Sequence, residues 1–242
     1  MAWPETKAAV DIIIPHYGAG ELTQLCIDCL QSIKLFTEDY RLIFVDNASP
    51  EFDYVVGALE NHPHVLIRET ENVGVTRAVN HGLAVSTAPH VVLLNNDTLA
   101  VEDWIQKLQL GFSKFPRVGL AGPLTTTPQS WQGVWQCTPP VPGMRTPPSV
   151  HILGRGRMLA FFCVMMSRAV IDTVGPLDES YGVGFGDDDA YCRSVQRAGF
   201  DLALIQTLRI PHRHRSTFQA LYSKETLAEM QRVAMAKFQA EK

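Results

Sequence analysis

The first half of the chain alternates short β-rich runs with helical patterns, and this alternation limits the fold more than any other feature. The runs that predict strands cover residues 10–15, 41–47, 64–69 and 90–97. A helical pattern follows each run, starting near residues 21, 52, 75 and 101. Strands that alternate with helices form βαβ units. The sequence therefore predicts a single α/β, Rossmann-like domain, with a mainly parallel central sheet flanked by helices.

Polar residues close the predicted strands. The stretch "VVLLNNDT" (91–98) runs a buried strand directly into two asparagines and an aspartate. Open α/β sheets bind their ligands at the carboxyl ends of the strands. The polar residues at these ends are therefore candidate site residues: His16, Asp46, Asn47, Asn95, Asn96 and Asp97.

The second half has a weaker pattern. Residues 123–149 are rich in proline, threonine and glutamine, and show no periodicity. Long loops without secondary structure are usually functional or disordered, and Trp131 and Trp135 favour a function here. Further along, the patterns predict strands at 158–167 and 201–207, a short helix from residue 168, and a polar helix with an apolar stripe at 217–242.

Three consecutive aspartates, Asp187, Asp188 and Asp189, lie in a glycine-flanked turn before a helical pattern. This places them at a helix N-terminus, where the helix dipole stabilises carboxylates. Their environments can differ, so one can act as a base while another orients a hydroxyl or pairs with Arg193.

A divalent metal ion is a candidate ligand for the polar residues at the end of the fourth predicted strand. Asp97 offers carboxylate oxygens, and Asn95 or Asn96 offers an amide, to Mg²⁺ or Mn²⁺ held together with phosphate oxygens. His212 and His214 follow the last predicted strand and could add an imidazole, which suits Mn²⁺ better than Mg²⁺.

Composition and charge exclude several other classes. The 242 residues carry a net charge of -4, so no nucleic-acid partner is expected, and the patch of Arg209, Arg213 and Arg215 is small. The N-terminus lacks a signal-peptide pattern, and the longest apolar stretch, 159–166, is too short to span a bilayer. We expect a protein without a transmembrane segment that is cytoplasmic or peripheral to a membrane.

Two local motifs are weaker than they look. Cys26 and Cys29 form a C-x-x-C pair, but the helical pattern around them predicts small residues on a buried helix face. Gly18 and Gly20 follow the first strand as in a dinucleotide fingerprint, but Thr23 replaces the third glycine. This disfavours a Rossmann dehydrogenase.

Five segments together resemble the family 2 glycosyltransferases. "DIIIPHYG", "FVDNAS", "ENVGVTRAVNHGL" and "LLNNDT" resemble that family's first two strands, its asparagine–glycine helix start and its D-x-D region. "GPLDESYGVGFGDDDAYCRSVQRAGF" resembles its late acidic block. The five occur in the family's order and span about residues 10 to 217. A rhamnosyltransferase-like subgroup is one option within the family.

The resemblance implies a GT-A fold, a nucleotide-diphosphate sugar donor (UDP, dTDP or GDP), Mn²⁺ or Mg²⁺, and inversion at the anomeric carbon. We expect a transferase domain over residues 1–217, with 123–149 as an acceptor-side loop, and a C-terminal helix at 218–242; the loop and this helix fall outside the resemblance. Polysaccharide biosynthesis is the process that it suggests.

The resemblance also assigns roles to residues at matching positions. Asp187 matches the general base, and Asp97 and His212 match the metal ligands. The residues implied to bind the nucleotide sugar are Pro15, His16, Tyr17, Asp46, Asn72, Gly74, Arg77, Asn80, Asn95, Asn96, Asp97, Asp189 and Arg193.

Three positions depart from the family pattern. Asn95 replaces the first D-x-D acid, which leaves less charge for a metal. Gly186 replaces the glutamate of the acidic block, so the base could be Asp188 instead of Asp187. His16 replaces a threonine in the first loop, which could alter the preferred nucleobase.

Two alternatives stay open. A nucleotidyltransferase shares the predicted sheet, but the first loop lacks the basic residue that such enzymes normally carry. A degenerate, non-catalytic protein that binds nucleotide sugars would be consistent with Asn95 and Gly186. The sequence does not identify the sugar, the linkage or the acceptor, which could be a glycan, a lipid-linked sugar or a small molecule.

Overall fold

A computed structural model describes residues 8–126, 132, 149–182, 185–213 and 221–240. Within these residues, eight strands form one sheet in the order β3-β2-β1-β4-β7-β5-β8-β6. The strands are β1 (Val10–His16), β2 (Tyr40–Asp46), β3 (His64–Arg68), β4 (His90–Leu94), β5 (Val118–Thr125), β6 (Val150–Ile152), β7 (Cys163–Ser167) and β8 (Asp201–Ile210).

The sheet is mixed but mainly parallel, which confirms the predicted fold class. Strands β1 to β4 pair in parallel, and so do β5 and β8. Strand β7 runs antiparallel between β4 and β5, and β6 runs antiparallel to β8 at the edge. The carboxyl ends of β1, β2 and β4 therefore meet at one side of the sheet, as the sequence predicts.

Helices cover both faces of the sheet. They are α1 (Glu21–Phe36), α2 (Phe52–Leu59), α3 (Val75–Val85), α4 (Trp104–Lys114), α5 (Arg168–Val174), α6 (Asp187–Arg197) and α7 (Lys224–Ala240), with a 3₁₀ turn at Glu179–Tyr181.

The apolar core lies in two layers because each face of the sheet packs against its own helices. One layer joins the sheet to α1, α2 and α4, and the other joins it to α3, α5 and α6. Trp104 is fully buried in the first layer, and its indole N–H donates to Thr37 Oγ1 at 2.8 Å. Cys26 and Cys29 lie on the buried face of α1, as predicted.

The structure corrects the sequence prediction in the second half of the chain. Two strands were missed, β5 and β6, and β5 occupies the first residues of the predicted 123–149 loop. The strand predicted at 158–167 begins only at Cys163. In the segment before this strand, the backbone N–H of Ala160 donates to Gln132 Oε1 at 2.6 Å.

No helix in the described part of the chain combines the length and the hydrophobicity needed to cross a bilayer.

Gly82 lets α3 approach the sheet closely. A Cβ at this position would lie 2.6 Å from Ile13 Cγ2 on β1, whereas a Cβ at the exposed Gly57 of α2 would meet no atom within 4 Å. Contact distances under 3 Å force neighbouring atoms to move, and such overpacking costs about 1–3 kcal/mol.

We expect Gly82→Ala to lower the free energy of unfolding by about 1–3 kcal/mol, although alanine favours the helix. The matched Gly57→Ala is expected to raise it by up to about 1 kcal/mol, since only helix propensity changes there. Urea unfolding monitored by circular dichroism measures both values. A Gly82→Ala protein as stable as the wild type would show that α3 does not pack this tightly on β1.

Candidate active site

The turn after β4 is tied to the segment after β8. Thr98 and His212 form an isolated antiparallel bridge, and the backbone N–H of Leu99 donates to the carbonyl oxygen of Pro211 at 3.1 Å. The N–H of Arg213 donates to the carbonyl oxygen of Asp97 at 3.1 Å. These backbone contacts bring the two predicted metal ligands together.

Asp97 and His212 form a compact acid–imidazole pair. His212 Nε2 lies 3.2 Å from Asp97 Oδ1 and 3.3 Å from Asn95 Nδ2, and the imidazole stacks on Phe162 with 4.9 Å between ring centroids. Asp97 Oδ1 is buried and has no hydrogen bond of good geometry within the described residues. A buried carboxylate oxygen of this kind beside an imidazole fits a divalent cation.

The protein supplies only part of a coordination shell in this arrangement. Within the described residues, no group of three or more His, Cys, Asp or Glu side chains could hold a metal. A cation at Asp97 and His212 would need further oxygen ligands from water or from a bound phosphate, as is usual for Mg²⁺ and related ions in phosphate sites.

His16 lies beneath the floor of the site. The amide Nδ2 of Asn96 donates to His16 Nδ1 at 2.7 Å, and this places the remaining ring proton on Nε2. Burial lowers the pKa of His16 to about 4, so the imidazole is neutral at physiological pH. His16 therefore positions Asn96 as a neutral acceptor and adds no positive charge to the site.

A network of asparagines forms the edge of the site before α3. Asn47 Nδ2 donates to Asn72 Oδ1 at 2.9 Å, and the backbone N–H groups of Val73 and Gly74 donate to Asn47 Oδ1 and Asn72 Oδ1. Gly74 adopts a φ of 85°, which favours glycine. These bonds fix the turn that brings the start of α3 against the site.

The acidic turn has the predicted position at the N-terminus of α6. Thr76 Oγ1, on α3, donates to Asp187 Oδ2 at 3.0 Å, and the backbone N–H of Asp189 donates to Asp188 Oδ1 at 2.9 Å. Gly186 precedes the helix with a φ of 79°. A side chain there would strain the backbone, and its Cβ would lie 3.3 Å from the Tyr181 ring.

The three aspartates differ in how strongly their neighbours disfavour ionisation. Burial raises the pKa of Asp187, while the Thr76 hydroxyl bond and backbone N–H groups oppose the rise. Burial raises the pKa of Asp188 well above its usual range, and repulsion from Asp187 and Asp189 adds to this. Burial also raises the pKa of Asp189, while Arg193 counteracts it. Asp187 is thus better placed than Asp188 to be ionised near neutral pH.

These groups line one cavity of about 680 Å³ at the carboxyl ends of the strands. The predicted site residues in its wall are Pro15, His16, Tyr17, Asn72, Gly74, Asn95, Asn96, Asp97, Asp187, Asp188, Asp189 and His212. Asn47, a strand-end candidate to which the resemblance assigned no role, lines it too.

Four predicted residues lie outside the cavity wall. Asp46 is fully buried, accepts from the Ser49 N–H at 3.2 Å and lies 3.3 Å from Arg68 Nε. The other three have structural partners: Arg77 pairs with Glu179, Asn80 bonds to Leu177 and Glu179, and Arg193 donates to the Phe238 carbonyl and covers its ring.

Helix α7 lines the cavity, although the sequence analysis set it apart as a separate C-terminal element. Gln231, Arg232, Ala234 and Met235 lie in the wall. The apolar stripe of α7 gave the only available signal: it shows that one face packs against the domain, but not that the face meets the site. His214, Arg215, Trp131 and Trp135 lie outside the described residues.

The comparisons with known proteins agree with this geometry. The family model described as "Glycosyl transferase family 2" matches residues 11–175, which is more than half of the chain. The chain belongs to glycosyl transferase family 2. An uncharacterized protein, y4gI, of Sinorhizobium fredii (strain NBRC 101917 / NGR234) is 26% identical over 222 residues, 82% of this chain and 24% of that protein. An N-acetylglucosaminyltransferase of Rhizobium sp. (strain N33) is 31% identical over 134 residues, 53% of this chain and 28% of that protein.

Solved structures show the same fold at low sequence identity. A mannosyltransferase, PcManGT, from Pyrobaculum calidifontis in complex with GDP-Man and Mn²⁺ has a TM-score of 0.65 at 16% identity, covering 86% of this chain and 58% of its own. GalNAc-T7 with UDP, GalNAc and Mn²⁺ has a TM-score of 0.68 at 16% identity, covering 87% and 44%. TarS 1-349 of S. aureus has a TM-score of 0.61 at 11% identity, covering 86% and 61%.

The fold is therefore GT-A, as the resemblance implied. The chain spans about a quarter of the length of the two bacterial relatives, 24% and 28%. Those proteins contain much more than this domain, so family membership alone does not define the reaction of this chain.

We expect Asp188→Asn to stabilise the family 2 domain at high pH. Folding raises the pKa of Asp188, so the folded protein retains a proton that the unfolded chain releases above a pH of about 4. The free energy of unfolding therefore falls progressively as the pH rises from the pKa of Asp188 in the unfolded chain to its raised pKa in the folded protein. Asparagine removes the charge and can keep the bond from the Asp189 N–H.

The melting temperature of Asp188→Asn should exceed that of the wild type more at pH 8 than at pH 5. Asp172→Asn, which changes an exposed aspartate of α5, is the control and should have little effect. Equal shifts at both pH values would contradict the assigned direction of the Asp188 pKa.

Proposed function

We propose that the chain transfers a sugar from a nucleotide-diphosphate sugar to an acceptor hydroxyl, with inversion at the anomeric carbon. One observation supports this most directly: the Asp97–His212 pair and the acidic N-terminus of α6 lie in the wall of the same cavity. The first can hold a metal-bound diphosphate, and the second offers a general base. The family and the GT-A fold agree with this assignment.

The donor would occupy the part of the cavity formed by the strand ends. Asn47, Asn72 and Asn96 offer amide groups for the base and ribose. The bond from Asn47 to Asn72 and the bond from Asn96 to His16 hold them in place before a ligand arrives. Asp97 and His212 would hold Mn²⁺ or Mg²⁺, with the imidazole favouring Mn²⁺. The metal would neutralise charge on the leaving nucleotide diphosphate.

Asp187 is the proposed general base. Thr76 and the backbone N–H groups favour its ionised form, whereas both neighbouring acids hold Asp188 toward the protonated form. Asp187 would accept the proton of the acceptor hydroxyl. That oxygen bonds to the anomeric carbon as the bond from this carbon to the diphosphate oxygen breaks on the opposite face.

Two similar proteins guide the choice of donor sugars to test. The relatives include an N-acetylglucosaminyltransferase, and a structural neighbour holds GDP-Man. A hexosyl donor is therefore the first class to test, with a dTDP-linked deoxyhexose such as rhamnose as the variant. The acceptor would enter past Met158 and Phe161, which supply an apolar and aromatic wall. Such surfaces stack well against sugar rings.

A degenerate binding protein is less consistent with the site. Gly186 adopts a left-handed conformation that glycine favours, so its presence follows from the local backbone and does not indicate decay. Asn95 keeps its amide 3.3 Å from His212 Nε2. The acid–imidazole pair and the proposed base are both in place.

We expect one class of UDP-, dTDP- or GDP-sugar to raise the melting temperature in the presence of Mn²⁺. A ligand at a hundred times its Kd stabilises the folded state by about 2.7 kcal/mol. In Asp97→Asn the Mn²⁺-dependent part of the shift should disappear, and Asp172→Asn should retain it. No shift with any donor would contradict the proposed function and favour the alternative of a protein with a different ligand.

We expect Asp187→Asn to bind the donor but to transfer sugar about 10²- to 10⁴-fold more slowly, since that is the usual contribution of a general base. The wild-type rate should fall as the pH drops through the raised pKa of Asp187, because only the carboxylate accepts a proton. Radiolabelled-sugar transfer and nucleotide release measure both. Loss in Asp188→Asn with retention in Asp187→Asn would move the base by one residue.

A further inference from the structure

Arg232 of α7 is the only lysine or arginine among the described residues that line the cavity. The acidic side chains in the described part of the wall are Asp97, Asp187, Asp188 and Asp189, of which Asp188 is held toward the protonated form. His16 is neutral because burial lowers its pKa to about 4. The wall therefore offers a diphosphate several acids and, among its described residues, one side chain with a permanent positive charge, Arg232.

Side-chain contacts hold the C-terminal end of helix α7 to the domain. Lys237 Nζ lies 3.2 Å from Asp178 Oδ2 and 3.8 Å from the centroid of the Tyr181 ring. Arg193 donates to the Phe238 carbonyl at 3.1 Å and its guanidinium lies 3.4 Å from the centroid of that ring. These contacts fix the helix about one turn beyond Arg232 and so hold this guanidinium at the cavity.

Arg232 is held by a partner that it can exchange. Its Nε and Nη2 donate to both oxygens of Glu229, at 2.8 and 2.6 Å. The two side chains are 70% and 58% exposed. Exposed pairs of this kind contribute little to stability, so a competing anion can replace the carboxylate. A diphosphate carries more charge than one carboxylate and presents the same two-oxygen geometry that a guanidinium prefers.

From these observations we infer that Arg232 binds the diphosphate of the nucleotide donor and exchanges Glu229 for it. This inference rests on the proposed function, and it assigns a binding role to an element outside the matched family region of residues 11–175. Glu229 would then compete with the donor for the guanidinium.

The test measures binding of UDP, dTDP and GDP, with Mn²⁺, by isothermal titration calorimetry. Arg232→Gln is expected to weaken binding of the preferred diphosphate about tenfold, because a hydrogen-bonded charged contact typically contributes that much or more. Binding of the corresponding monophosphate should change much less. Glu229→Gln is expected to tighten diphosphate binding by about two- to fivefold, since it removes the weak, exposed ion pair that competes for the guanidinium.

Lys224→Gln is the matched control. It removes one positive charge from an exposed position on the same helix, but Lys224 does not line the cavity. Because no direct contact with the diphosphate is lost, affinity should stay within about twofold of wild type. Circular dichroism melting confirms that each variant is folded.

Opposite signs for Arg232→Gln and Glu229→Gln would support the inference, since a purely structural role for the pair predicts loss in both. Equal loss in both variants, or an unchanged affinity in Arg232→Gln with wild-type binding intact, would overturn this inference alone. Failure of every diphosphate to bind the wild type would overturn the proposed function together with it.

Discussion

The backbone bridge between the turn after β4 and the segment after β8 organises the site. Residues 97 and 212 are far apart in the chain, and the paired backbone around Thr98 and His212 brings their side chains within 3.2 Å. The antiparallel strand β7 lies beside β4, and Phe162, just before it, stacks on the imidazole. The acid–imidazole pair is therefore a product of tertiary structure, and its geometry follows from the order of strands in the sheet.

The acidic turn shows how the fold accommodates three neighbouring aspartates in one cavity wall. Three aspartates close together in a cavity wall repel one another, and burial raises the pKa of each. The N-terminus of α6 supplies N–H groups, and Thr76 supplies a hydroxyl from a different helix. These donors favour ionisation of Asp187 more than of Asp188. Two chemically identical neighbours can thus have different protonation states, which is what a site with one base requires.

The sequence predicts the strand-end part of the cavity well and the later strands and the position of α7 poorly. Strand ends are short-range features, so "LLNNDT" and the acidic turn place Asp97 and Asp187 at the cavity without further information. Strand β5 was missed although it follows α4, because its sequence "VGLAGPLT" contains two glycines and a proline, which are depleted in strands, and β6 was missed because it is only three residues long. Arg193 shows the limit of prediction from motif spacing. Its position in the acidic block predicted a contact with the nucleotide sugar, whereas in the structure Arg193 contacts the carbonyl oxygen and the ring of Phe238 on α7.

The difference between the two sides has a physical origin. The strand-end part of the cavity is built by the ends of adjacent parallel strands, which the sheet brings together, and the ends of β1, β2 and β4 lie within the matched residues 11–175. The side that includes α7 depends on contacts such as Lys237 with Asp178 and Tyr181, between segments that no local pattern connects. An amphipathic stripe indicates that one face of α7 packs against the domain. Whether Arg232 lies at the cavity depends on the rotation of the helix about its axis. That rotation is set here by Phe238 against Arg193 and by Ala234, buried against the domain. The cation–π contact of Arg193 with Phe238 and the burial of Ala234 thus determine where the charge of Arg232 lies.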